Sequence, residues 1–132
     1  MKISRSTGYG LIAMGYIAKH NQDKAVLAQK ISKAYNMPLE YLLKILQQLV
    51  KAEVLRSKRG PRGGFSLARS AEQINLLNII EAVDGPMVTS AHLAEQTNGE
   101  PFSIRMEQAC KEAAEEAKVV LENTTLSRIL EE

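Results

Sequence analysis

Side chains fit for bond-making chemistry are few and scattered in this sequence. Histidine occurs only as His20 and His92, cysteine only as Cys110, and there is no HExxH, GxSxG or GxxxxGK[ST] segment. Catalysis therefore has no candidate residues, and one thiol cannot build a four-cysteine zinc site, an all-cysteine cluster or an intramolecular disulfide. No catalytic residue, metal ligand or cofactor is expected. The residues that do recur at telling spacings are bases, amides and an acid. Arg56, Lys58, Arg59 and Arg62 crowd a turn that also holds Gly60, Pro61, Gly63 and Gly64, and Glu40, Tyr41, Leu43, Lys44, Gln47 and Lys51 lie in the segment before it. Cations suit a polyanion, because each one set on a phosphate releases condensed counterions, and lysine, glutamate or amide groups on a helix can meet base edges.

Two elements must hold these residues. Pro38 suits the first turn of a helix running to about Lys51, since its missing N–H would have no partner there. In that helix Leu39, Leu42, Leu46 and Leu49 form the inward stripe. Glu40, Lys44, Gln47, Gln48 and Lys51 share the opposite face, with Tyr41 beside them and Leu43 and Ile45 on the flanks. Ahead of it, Ala25 to Tyr35 places Leu27, Ala28, Ile31 and Ala34 on one face and stops at Asn36. A short helix, a tight turn and a second amphipathic helix form the pattern of a helix-turn-helix reader, though any small bundle contains such pairs. The next stretch is more telling. Val54 to Lys58 and Phe65 to Ala68 read as two strands around a basic tip, with Val54, Leu55, Phe65, Leu67 and Ala68 as anchors. A phosphate-cradling glycine loop is the alternative, but no helix opens directly after the glycines.

The remaining elements divide the chain by charge. Residues 1–70 carry 13 Lys+Arg against 3 Asp+Glu, a net +10, and residues 71–132 carry 4 against 12, a net −8, which together give the overall +2. The front suits a polyanion that the rear would repel; a solvated bias with no partner is the plain alternative. A first helix from Ser4 to His20 has Tyr9, Ile12, Ala13, Tyr16 and Ile17 at helical spacing, and a polar turn follows at Asn21, Gln22 and Asp23. Gln73 to Val83 is too apolar for a solvated helix and must pack on something before Asp84-Gly85-Pro86 ends it. Residues 87–101 read as a loop or short irregular helix. From Phe102 to Asn123 a long helix carries a stripe of Met106, Cys110, Ala113, Ala117, Val120 and Leu121, and Thr125 can cap a short last helix. A helix of about 20 residues spans about 30 Å, more than one small chain covers, so a second copy is the simplest partner.

The opening Met1-Lys2-Ile3-Ser4 with Tyr9, Tyr41-Leu42, Leu55-Arg56-Ser57 running into Arg59-Gly60-Pro61-Arg62-Gly63-Gly64-Phe65, Ile80 to Pro86 and Thr124-Thr125-Leu126 together resemble the Rrf2 family of bacterial winged-helix transcription regulators over nearly the whole chain. The resemblance implies a homodimer that crosses its long C-terminal helices and reads a palindromic operator. Residues matching Glu40, Leu43 and Lys44 would enter the major groove, and the wing arginine matching Arg59 the minor groove. Leu43-Lys44 departs from the acid and amide of the cluster-bearing members, so their operator preference does not transfer. Lys44 has the chemistry to donate to guanine O6/N7 or to hold a phosphate, and Glu40 to accept from a cytosine amino group. Family members that sense iron–sulfur status or nitric oxide carry three cysteines between the fourth and long helices. Here those positions fall on His92, Asn98 and Ile104, and a histidine ligand position falls on Glu107. Cys110 stands where the pattern has a tryptophan and reads as a packed small hydrophobe. The likeness is therefore to cluster-free members, one of which is controlled through a protein partner.

These readings converge on a mainly α fold with a small β-hairpin: a winged helix-turn-helix domain at 1–86, an effector-region segment at 87–101, and a dimerisation helix with a short C-terminal helix at 102–132. The expected function is sequence-specific binding of double-stranded DNA by a cytoplasmic homodimeric regulator, a repressor, with no membrane role and with a regulatory protein or small molecule as effector. Two alternatives stand beside it. One is a winged-helix protein-interaction module whose basic face takes an acidic partner; the other is a regulator that senses redox through Cys110 or an unusual cluster. Selection from genomic DNA separates the first, because only a DNA reader enriches a two-fold symmetric site.

Overall fold

The computed structural model describes residues 2–20, 24–87 and 92–131; the turn expected at 21–23 and part of the segment expected to be irregular, 88–91, lie outside them. In order, the elements are α1 (Arg5–His20), α2 (Ala28–Tyr35), α3 (Leu39–Lys51), β1 (Leu55–Lys58), β2 (Gly64–Leu67), a 3-10 turn (Ala71–Gln73), α4 (Leu76–Asp84), α5 (Leu93–Gln96), α6 (Pro101–Glu122) and α7 (Leu126–Ile129). The mainly helical chain with one antiparallel hairpin and a long C-terminal helix is the fold class expected from the sequence.

Each helix forms where expected, but tertiary packing rotates the buried faces. In α1 the buried residues are Thr7, Gly10, Ala13, Met14 and Ile17. Ile12, expected inside, is 45% exposed. The rotation follows from the approach of α4, since a Cβ on Gly10 would stand 3.1 Å from Val83 Cγ2. In α2 only Ala28 and Ile31 are buried, and Leu27 and Ala34 face outward. This helix also starts three residues later than expected, because Val26 is held extended by pairing with Phe65. Asn36 closes α2 in the left-handed region at φ 53°, a conformation asparagine tolerates better than most residues. Pro38 sits at the N-cap of α3, just outside the first turn. Ile45, expected on a flank, is buried with Leu42, Leu46 and Leu49, and Leu39 is only half-buried. Because α3 lies among α1, α2 and α4, its covered arc is wider than a single stripe.

The apolar character of α4 has a direct explanation. Asn75 caps it, with the Asn75 and Asn78 side chains each accepting the other's backbone N–H at 2.8 and 2.9 Å. Ile79 enters the main core, while Leu77 and Ile80 turn to a second cluster with Leu121 of α6. Leu121 is thus 9% exposed within the chain, so its expected place on a dimer stripe is corrected: α4 already covers it. The C-terminal segment returns to the same body. Leu76 N–H donates to Thr124 O and Leu126 N–H to Ile74 O, each at 2.9 Å, and Leu126 lies in the main core. The expected boundary between a body at 1–86 and a unit at 102–132 is therefore not a packing boundary. As expected, the Thr125 hydroxyl caps α7, accepting from Arg128 N–H at 3.2 Å.

The rest of the expected α6 stripe faces outward, with Met106 55% and Val120 64% exposed; Cys110 and Ala113 are exposed and Ala117 is half-buried. Two neighbouring substitutions test the assignment of Leu121 to the chain's own core. Leu121→Ala should lower the unfolding free energy by about 2–5 kcal/mol, whereas Val120→Ala, at a side chain exposed within its own chain, should change the stability of the single chain by no more than about 0.5 kcal/mol. Equal losses measured by urea denaturation would contradict it.

Candidate nucleic-acid interface

The hairpin is a supported wing. Its register pairs Leu55 with Leu67, Arg56 with Ser66, Ser57 with Phe65 and Lys58 with Gly64. On the other edge of β2, Val26 N–H donates to Phe65 O and Phe65 N–H to Val26 O, both at 2.8 Å, so Val26, two residues before α2, adds a single antiparallel bridge to the two-stranded wing. That approach is close enough to dictate the residue beside it. Gly64 has φ +134°, and a Cβ there would stand 2.4 Å from Val26 O; one on Gly63 would stand 2.2 Å from Lys58 O. Only glycine permits both the tight tip and the contact with the body. Phe65 and Leu55 are buried, while Arg56, Lys58, Arg59, Gly60, Pro61 and Arg62 are exposed. Arg56 reaches across the hairpin, its Nη2 donating to Ala68 O at 3.4 Å.

Glu40, Lys44, Gln47, Gln48 and Lys51 are all exposed on α3. Tyr41 differs from them. Its hydroxyl is hydrogen-bonded with Ser6 Oγ, and its ring stands edge-on to Tyr9 with centroids 5.6 Å apart, so it fixes the start of α3 on α1 and is a positioning residue. Leu43 is half-buried. A cleft of about 380 Å³ brings Leu43 and Gln47 together with Lys58, Arg59, Gly60, Gly63 and Gly64 of the wing, walled also by Ala28 and Gln29 at the start of α2 and by Ser57. Among the described residues no acidic one lines it. Glu40, Tyr41, Lys44 and Lys51 lie on α3 outside the cleft, and Arg56, Pro61 and Arg62 line hollows elsewhere around the hairpin. Sequence reasoning missed Gln29, Ser57 and the anchoring role of Val26. Ser57 is flanked in β1 by Arg56 and Lys58, and that position beside the basic residues is the local signal for it.

Residues 3–132 match the Rrf2 family, described as an iron-dependent transcriptional regulator. The chain belongs to the Rrf2 family. It is 41% identical over 81 residues to a protein of Aquifex aeolicus described as an HTH-type transcriptional regulator, a match covering 61% of this chain and 56% of that protein. It is 29% identical over 130 residues to the regulator BadM of Rhodopseudomonas palustris, covering 98% of this chain and 81% of BadM. The solved structure of CymR, the global cysteine regulator of B. subtilis, superposes with a TM-score of 0.73 at 27% identity, covering 98% of this chain and 95% of CymR. Family and relatives are transcriptional regulators and not enzymes.

The corner between α5 and α6 tests whether this Rrf2 chain has the donors for an iron–sulfur cluster. His92, Asn98 and Ile104 are exposed. Glu107 Oε1 accepts from Ala94 N–H at 3.4 Å, the buried Ser103 hydroxyl donates to Glu100 O at 2.8 Å, and Thr97 Oγ1 is bonded with Ser103 Oγ. Hydroxyls, a carboxylate and backbone groups thus close the corner. Among the described residues no three of His, Cys, Asp and Glu come together, and none of the four positions supplies a thiolate, so the donor set does not fit a cluster. Cys110, expected as a packed small hydrophobe, is exposed in the single chain; the outward turn of the α6 stripe accounts for the difference.

The wing's dependence on Gly64 is testable. Gly64→Ala should cost about 1–3 kcal/mol from backbone strain alone, read as a lowered urea midpoint. An unchanged midpoint would mean that the wing is not fixed by its contact with Val26.

Proposed function

We propose that this Rrf2 chain is a homodimeric repressor that binds a two-fold symmetric operator, with α3 in the major groove and the wing tip in the neighbouring minor groove. The observation that carries this reading is the cleft in which Leu43 and Gln47 of α3 meet Lys58 and Arg59 of the wing with no acidic residue among the described ones that line it. A reading helix and a basic ribbon held as one surface match the two grooves of a duplex, and the +10 of residues 1–70 supplies the field that draws it in. Glu40 and Lys44, exposed on α3, are the base-edge candidates. Glu40 accepts from a cytosine amino group, and Lys44 donates to guanine or holds a phosphate.

Dimer formation is supported by the uncovered Met106, Cys110, Ala113 and Val120 on a 22-residue helix, which is about 33 Å long. Its acidic surroundings stay clear of the duplex, as the charge division requires. Regulation goes through a protein or small molecule and not through a cysteine-ligated cluster, a reading supported by the donor set of the α5–α6 corner.

With roughly 6–10 phosphates neutralised, affinity for operator DNA should fall by about 10³–10⁵ between about 50 and 200 mM salt, and Arg59→Ala should weaken it by about 1–3 kcal/mol. Fluorescence anisotropy on duplexes enriched from the source genome reads both; a flat salt titration would contradict the reading. Protein purified anaerobically should show no visible cluster absorption, and stoichiometric iron and sulfide would overturn the cluster-free assignment.

A further inference from the structure

The wing is basic on both of its faces, and contact with α3 explains only one. A second cavity, of about 770 Å³ and with no α3 residue in its lining, lies between the end of α1, the approach to α2 and the wing tip. Its cations are Lys24, Lys30, Lys58 and Arg62, with His20 beside them, and none of the described residues that line it is acidic. Lys24, Lys30, Lys58, Arg62 and His20 are all exposed. Tyr16 and His20 form part of its lining as stacked rings with centroids 4.1 Å apart, and His20 Nδ1 lies 2.9 Å from Tyr16 O. The cavity shares Leu27, Lys58 and Gly63 with the α3-side cleft, so the two surfaces are continuous around the ribbon. A neighbouring hollow extends the same charge through Arg56.

Cations gathered in a concave surface repel one another unless an anion is placed among them. A minor groove has a sugar–phosphate strand on each side and is only about 6 Å wide, so a ribbon seated in it meets phosphates on both faces. The α3-side cleft accounts for one wall. We propose that Lys24, Lys30 and Arg62 bind phosphates of the other strand, the wall of the minor groove away from α3, so that the wing is clasped from both sides. This inference rests on the function proposed above. It extends the surface to residues that touch no base and therefore add affinity without sequence preference.

The test compares wild type, Arg59→Ala, Lys24→Ala/Lys30→Ala and the charge-keeping Lys24→Arg/Lys30→Arg by anisotropy across a salt series, on a genome-selected duplex and on a random-sequence duplex. The alanine pair should reduce the magnitude of the slope of log affinity against log salt by about 2 per protomer, weaken both duplexes by the same factor, and be rescued by the arginine pair. An unchanged slope, or a loss confined to the selected duplex, overturns the inference while wild type and Arg59→Ala still uphold the proposed function; a flat wild-type series overturns both. Tripolyphosphate is the control anion. Saturable tripolyphosphate binding that the alanine pair abolishes, with duplex slopes unchanged, would give the cavity to a free phosphorylated ligand and overturn the assignment.

Discussion

Two backbone hydrogen bonds between Val26 and Phe65, each 2.8 Å long, tie together the two surfaces proposed to meet a duplex. An isolated two-stranded hairpin is at best marginally stable in water; the single bridge to Val26 ties it to the start of α2. Because α2 packs on α3, and α3 also packs directly on β1, these two bonds help set the distance from the helix to the wing. Gly64 follows from that constraint, since any Cβ would collide with the Val26 carbonyl. The buried Phe65 ring secures the wing from within, leaving the arginines of the tip exposed. Sequence reading, local geometry and proposed function thus meet at one edge of a small sheet.

The acidic rear is joined to this body more closely than its charge suggests. Leu121 packs against Leu77 and Ile80 of α4, and α4 packs in turn against α1 and α3. A displacement of the C-terminal end of α6 therefore has a short mechanical route to α3, through one buried cluster and one helix. The α5–α6 corner, towards the other end of α6, is closed by hydrogen bonds among Thr97, Ser103, Glu107 and backbone groups.

Much of the fold was legible because its signals are local. Pro38, Asn36, the glycine-rich tip, Thr125 and the apolar run of α4 each mark an element through their own backbone or burial requirements. What could not be read locally was which arc of a helix is covered from several sides. Ile12 and Ile45 exchange their expected places, exposed and buried, because Gly10 lets α4 come close and because α3 has three helical neighbours. Leu121 likewise follows the α6 repeat in sequence yet belongs to a contact with α4. Among the interface residues, the exposed face of α3 and the basic tip were visible as charge at regular spacing. Tyr41 fell in that pattern but is held by Ser6 and Tyr9, a contact between distant parts of the chain. Lys24 and Lys30 were not singled out, because the wing that brings them into one surface with Arg62 lies some thirty residues further along the chain.

The central claim is that helix and wing, held at a fixed separation, engage adjacent grooves of one duplex. A hydroxyl-radical footprint on a genome-selected operator measures this at nucleotide resolution. It should show two symmetry-related sets of protections, each combining backbone at the edge of a major groove with both strands of the adjacent minor groove. Protection limited to the major-groove edges, with the minor-groove strands cut as in free DNA, would show that the wing does not enter the duplex and would contradict the claim.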